Sequence, residues 1–164
     1  EAGTQLEAEA AQQYRSMAEA AQADGITLTL VAGYQDADTR TAAHEAQKQT
    51  YLARHKSEEE ASARAAAILP EADANEHGTG YAADILSTDY TAQDTGFADT
   101  RAYQWLTAYA AEYGFILRYP QDRQAATGVV FEPWHWRYVG VENALAIRAS
   151  GLSLEEFLAL QKAS

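Results

Sequence analysis

The chain contains no cysteine among its 164 residues. That absence removes disulfides, iron–sulfur clusters, thiolate zinc sites and a cysteine nucleophile together. Basic residues are scarce: 12 Lys and Arg stand against 24 Asp and Glu, a formal charge of −12. A phosphate backbone needs a concentrated basic face and an anionic bilayer a polybasic patch, so neither nucleic acid nor a lipid surface is an expected partner. The acidity itself reads as an abundant solvated surface. No apolar run approaches the ~20 residues of a membrane-spanning helix, so no integral span is expected. The N-terminus also lacks a basic-then-apolar export pattern, and any such signal would lie upstream of Glu1.

What is present is globular: 47% of residues are hydrophobic and 10% aromatic, in a length that suits one domain, 1–164. Thr4 and Glu7 read as a capping box for a helix over about 4–24, with Leu6, Ala10, Tyr14, Met17 and Ala21 on one face and Gly25 after its end. The remainder, about 26–164, reads as the core. Ile26–Val31 alternates as a strand, with Ile26, Leu28 and Leu30 sharing a face. A polar, alanine-rich stretch from Asp38 to Leu69 reads as two helices broken near His55-Lys56, the second opened by Ser57 and Glu60. Tyr81–Leu86, Phe115–Tyr119, Val129–Phe131 and Trp134–Val139 read as strands. Tyr103–Tyr113, Ala144–Ala149 and Leu154–Gln161 read as helices, the last opened by Ser153 and Glu156. Helices first and strands clustered later predict an α+β fold rather than a parallel α/β sheet.

Four histidines and no cysteine mean that any metal site uses imidazole, carboxylate and water. His44 and His55 lie in the alanine-rich region and read as solvated helix residues. His77-Gly78-Thr79-Gly80-Tyr81-Ala82-Ala83-Asp84 differs: it places a histidine in a glycine loop and an aspartate inside an apolar strand. An ionised carboxylate there is costly unless it is paired or binds a metal, although a strand-end or turn-capping aspartate is the plain alternative. In Phe131-Glu132-Pro133-Trp134-His135-Trp136, Glu132 and His135 converge only if the backbone leaves regular pleating, for which Pro133 supplies a reason. Trp134 and Trp136 are then expected to wall His135; an aromatic core strand with a satisfied histidine is the alternative. Taken together, His77, Asp84 and His135 are three ligands, the number a catalytic zinc takes while keeping one place for water. Glu132 is a spare carboxylate beside it, which a general base requires.

At these residues the chain resembles the VanY-type zinc D-alanyl-D-alanine carboxypeptidases, a family related to VanX dipeptidases and the Hedgehog signalling domain. The family pattern S-x-H-x-x-G-x-A-x-D is met by Asn75 to Asp84, and E-P-W-H-[YW]-R-Y-V-G by Glu132 to Gly140. Tyr113 to Pro120 matches between them, and the likeness runs from about Leu28 to the C-terminus. The resemblance implies a small antiparallel sheet with helices packed around it, one zinc ion held by His77, Asp84 and His135, and Glu132 as base. It also implies a peptidoglycan stem peptide as substrate, loss of a C-terminal D-alanine, and action outside the cytoplasmic membrane. A D,D-dipeptidase, a cell-wall endopeptidase and a non-catalytic peptidoglycan-binding zinc module are the competing readings.

Three positions depart from the pattern. Asn75 replaces the motif serine, and Gln35 replaces the arginine of G-Y-R-S, which the family uses to hold the substrate carboxylate. Arg40 stands where the family commonly has Gln, which suggests that the pair is exchanged and Arg40 supplies the clamp. Arg118 and Arg137 are the lesser candidates, since either can pair with an acidic side chain.

Overall fold

The computed structural model describes residues 4–54, 56–71 and 73–163. Its chain order is α1 (Ala8–Ala23), β1 (Leu28–Ala32), α2 (Ala37–Leu52), α3 (Glu58–Ala66), β2 (Ala82–Ser87), α4 (Arg101–Tyr109), β3 (Phe115–Leu117), α5 (Gln124–Thr127), β4 (His135–Tyr138), α6 (Val141–Ser150) and α7 (Leu154–Ala163). The four strands form one antiparallel sheet in the order β1-β2-β4-β3. The fold is α+β, with helices around a small sheet.

Register divides the sheet into two chemically different faces. Ala83 pairs with Trp136, Leu30 with Ile85, and Phe115 with Tyr138, so these side chains share one face. They meet Met17 and Ala21 of α1, Leu106 of α4 and Phe97 in the main hydrophobic core. Burying each large apolar side chain there contributes about 1.5–3 kcal/mol. Asp84 pairs with His135 and Ala82 with Arg137, so the opposite face carries the ionisable groups. Ile116 belongs to this second face and packs with Ala144 and Ile147 of α6.

Helix ends follow local chemistry. Asp36 caps α2 by accepting from the Thr39 amide at 2.7 Å, and Ser57 caps α3 by accepting from the Glu60 amide at 3.2 Å. Ser153 and Glu156 form a reciprocal box at α7, with bonds of 2.8 and 3.3 Å.

Several sequence expectations are corrected. The Thr4–Glu7 capping box does not form: Glu7 itself caps α1 by accepting from the Glu9 amide. The segment before α1 is committed elsewhere, since the Gln5 carbonyl accepts from the Tyr34 amide and the Glu7 amide donates to Gly80. Val129–Phe131 is no strand; Val130 donates to the Ala67 carbonyl, tying an extended loop to the end of α3 rather than to the sheet. The helix read as Tyr103–Tyr113 is α4 followed by a 3₁₀ turn, Ala110–Tyr113. His44 is half-buried, not simply solvated: its Nδ1 lies 2.6 Å from the Leu69 carbonyl oxygen, joining α2 to the segment after α3. His55 lies outside the described residues, as does one residue of the loop after Pro70.

Candidate metal centre and active site

Three separate pieces of chain bring the ionisable residues together. His77 sits on a 3₁₀ turn, Glu76–Thr79, whose start is capped by Asn75 accepting from the His77 amide at 3.1 Å. Gly80, at φ +75°, closes the turn in the left-handed region, where a side chain is disfavoured, and sends the chain into β2. Asp84 lies in the middle of β2 with β1 and β4 on either side. His135 opens β4 directly opposite Asp84. Glu132 precedes the strand, and the turn through Pro133 and Trp134 is closed by the His135 amide donating to the Glu132 carbonyl at 3.1 Å. This is the departure from pleating that lets side chains three apart face one space.

The resulting distances are short. His135 Nδ1 is 3.0 Å from Asp84 Oδ1, His77 Nε2 is 3.4 Å from the same oxygen, and Glu132 Oε2 is 3.8 Å from His135 Nδ1. Donor atoms of His77, Asp84 and His135 all lie within 4.8 Å of one another. Ligand bonds of ~2.0–2.2 Å at tetrahedral angles separate neighbouring donors by ~3.3 Å, so this set could hold a zinc ion once the side chains draw together slightly. His77, Asp84, Glu132 and His135 are each only 5–6% exposed. Asp84 Oδ1 is buried without a hydrogen-bond partner among the described residues, although two imidazoles flank it. A buried oxygen left open in this way matches a ligand position better than a finished hydrogen-bond network.

Neighbouring groups aim the donors. His77 Nδ1 lies 2.7 Å from the Gly33 carbonyl oxygen, which only accepts, so Nδ1 carries the proton and the Nε2 lone pair faces the cluster. Gln93 Nε2 donates to Asp84 Oδ2 at 2.9 Å, turning Oδ1 inward. Tyr119 packs on the His135 ring with centroids 4.9 Å apart. Glu76 accepts from Arg118 Nε at 2.8 Å. None of Glu76, Gln93 or Tyr119 stood out in the sequence. Glu76 adjoins His77 and was the most findable of them, but it is one acid among 24.

Charge in the cluster follows burial and proximity. Burial pushes the Glu132 carboxyl up to about 7; positive charge on His135 opposes this and the Asp84 carboxylate adds to it. Burial also works against the ionised forms of Asp84 and Glu76, but the opposite charges beside them prevail. Asp84 is held well below the usual carboxylate range by His135 and His77, and Glu76 down to about 2 by His135, Arg118 and Arg137. His135, although burial would lower it, is raised to about 10 by Asp84 and Glu76.

A cavity of about 260 Å³ is lined by all four central residues together with Glu76 and Asn75. Ile68, Leu69 and Pro70 form an apolar part of its wall, and Tyr119, Trp134 and Gln93 complete it. Trp134 therefore borders His135 as expected, whereas Trp136 points into the core on the other face of the sheet. Of the expected substrate-binding residues, Asn75 lines the cavity and Gln35 and Arg40 do not. Arg40 Nη1 donates to the Gln35 carbonyl, and its guanidinium lies so close to Gly78 that a Cβ there would collide with it. Arg118 and Arg137 both face Glu76.

Comparisons with known proteins agree with this geometry. A D-alanyl-D-alanine carboxypeptidase of Enterococcus faecalis is 35% identical over 144 residues, covering 88% of this chain and 52% of the relative. The solved structure of VanYB in complex with D-alanine-D-alanine superposes with a TM-score of 0.86 at 31% identity, covering 96% of this chain and 84% of that one. A VanY point mutant in complex with Zn(II) gives 0.84 at 31% identity, with 96% and 85% covered. The chain spans about half the length of the curated relatives it matches. Residues 3–141 match the family model for VanY, D-alanyl-D-alanine carboxypeptidase, and the chain belongs to that family.

Proposed function

We propose that this protein is a zinc-dependent carboxypeptidase that removes a C-terminal D-alanine from peptidoglycan stem peptides outside the cytoplasmic membrane. The observation that carries the reading is the convergence of buried His77, Asp84 and His135 on one point, with Glu132 bordering the same cavity. Family membership supports the reaction, and the neighbours solved with Zn(II) and with D-alanine-D-alanine support metal and substrate class. Among the described residues no helix is long and apolar enough to cross a membrane.

In this reading His77 Nε2, Asp84 and His135 Nδ1 hold one zinc ion per chain. Zinc so held supplies a Lewis acid for the scissile carbonyl and makes water reactive near neutral pH. Glu132 takes a proton from the attacking water and returns it to the nitrogen of the departing D-alanine, so that a C–O bond forms as the C–N bond breaks. Ile68, Leu69 and Pro70 give the cavity an apolar side beside the charged groups. Arg40 serves as the carboxylate clamp in place of Gln35 once its guanidinium, which lies beside the turn that bears His77, leaves the Gln35 carbonyl and turns toward the cavity.

Glu132 favours an enzyme over a peptidoglycan-binding module, because a closed structural site uses no spare carboxylate. Metal analysis combined with mass spectrometry of tetra- and pentapeptide stems tests the proposal. One zinc per chain and a pentapeptide shortened by one D-alanine are expected. Protein that takes up no zinc, or that leaves both stems intact, would overturn it, and cleavage of the tetrapeptide alone would reassign it to L,D-bonds.

A further inference from the structure

Behind His135, on the side away from Asp84, the structure holds an unfinished contact. Nε2 of His135 and Oε2 of Glu76 are buried atoms without a hydrogen-bond partner among the described residues, and they lie 3.7 Å apart. Buried polar atoms are rarely left so, and here two of them face each other. The Glu76 side chain is 12% exposed and carries a charge that its surroundings answer. Arg118 Nε donates to its other oxygen at 2.8 Å, and Arg137 Nη1 stands 3.3 Å from Oε2. Arg118 is gripped in turn by Glu155 of α7 through both Nη atoms. Two guanidiniums thus hold the Glu76 carboxylate against the His135 ring.

We infer that Glu76 is the positioning residue of His135: it takes the Nε2–H, fixes the ring tautomer, and thereby makes Nδ1 the nitrogen offered to the metal. The inference rests on the proposed zinc site and adds to it. His77 already has such a partner in the Gly33 carbonyl, acting on the opposite ring nitrogen. Glu76 gives the second histidine its counterpart, so the two imidazoles present different nitrogens to one point. A neutral imidazole has one donor and one acceptor nitrogen, and a carboxylate opposite one of them decides which is which. A shift of about half an ångström would bring the pair within ordinary hydrogen-bond distance.

Two measurements on the zinc-loaded, full chain test this. In wild-type protein, nitrogen NMR of the His135 ring should show a protonated, slowly exchanging Nε2 and a metal-bound Nδ1. Metal on Nε2 would overturn the inference whatever the variants do. Glu76→Gln and Glu76→Ala should bind zinc ~10–100-fold more weakly in chelator competition, with an altered Co(II) absorption spectrum. Glu155→Gln loosens Arg118 but leaves Glu76 in place, and should stay close to wild type in both readouts. Folded Glu76 variants with wild-type affinity and cobalt spectrum would sink the inference while leaving the zinc site standing. Wild-type protein that binds no zinc would remove both.

Discussion

His77 is tied to the loop after β1 at two points: its Nδ1 meets the Gly33 carbonyl at 2.7 Å, and its own carbonyl accepts from the Gln35 amide at 3.1 Å. The loop therefore sets both the backbone position and the ring orientation of a candidate ligand 44 residues away. Gly33 can do this because the backbone of Gln5 crosses directly over it, and a Cβ at Gly33 would strike the Gln5 carbonyl. Gly33→Ala should therefore push the two segments apart. The expected cost is ~1–3 kcal/mol in urea unfolding, as for other overpacked sites. Zinc affinity should fall by up to ~10-fold because the loop moves with its carbonyl. Unchanged stability and unchanged affinity would show that the loop gives way without disturbing His77.

In the proposed reaction Glu132 moves a proton and ligates nothing, which separates two measurable quantities. Glu132→Gln keeps the shape and removes the base. It should lower kcat on a pentapeptide stem by ~10²–10⁴ while zinc content per chain stays that of wild type. A variant that loses zinc as well would place Glu132 among the ligands.

Much of this site was legible in sequence because its cost is local. An aspartate flanked by Ala82, Ala83, Ile85 and Leu86 demands a partner wherever the strand goes, and a proline between a glutamate and a histidine announces a break in pleating. Strand register then does the rest, by placing Asp84 opposite His135. Other features depend on distant chain and leave no local trace. Gln93 reaches Asp84 only because the chain folds back after β2, and Tyr119 covers His135 only because β3 lies beside β4. The false strand at Val129–Phe131 has the right residues, but the Val130 amide donates to the end of α3 and the Val129 amide to the Thr127 hydroxyl instead of to a neighbouring strand. Thr4 fails as a cap for the same reason: residues 5–7 are already bonded to Tyr34 and Gly80. Helix ends whose partners lie within four residues, such as Ser57 and Ser153, were readable directly.

Removing the metal should cost stability as well as activity. A ligand that binds only the folded state adds RT ln(1 + [L]/Kd), about 2.7 kcal/mol at a hundredfold excess over Kd. Without it, the buried Asp84 oxygen keeps no hydrogen-bond partner among the described residues. Chelation by EDTA should therefore lower the melting temperature, and added zinc should restore it. His135→Ala should bind no zinc and show no such response. A melting curve indifferent to EDTA in wild-type protein would count against a tightly held ion.

Arg40 and Gly78 act through one guanidinium, so their substitutions are expected to be coupled. If the guanidinium holds the substrate carboxylate, Arg40→Ala should lose ~2–3 kcal/mol of charged hydrogen bonding, a drop in kcat/KM of about 30- to 150-fold. Gly78 leaves the space in which that guanidinium sits, and a methyl group there would collide with it. Gly78→Ala should then impair the same substrate in the same parameter, with zinc content unaltered. Because both act through one side chain, the double variant should be no worse than Arg40→Ala, a strongly non-additive cycle. Additive losses would mean that Gly78 matters for another reason, and an Arg40→Ala enzyme with wild-type kcat/KM would assign the clamp to a different residue.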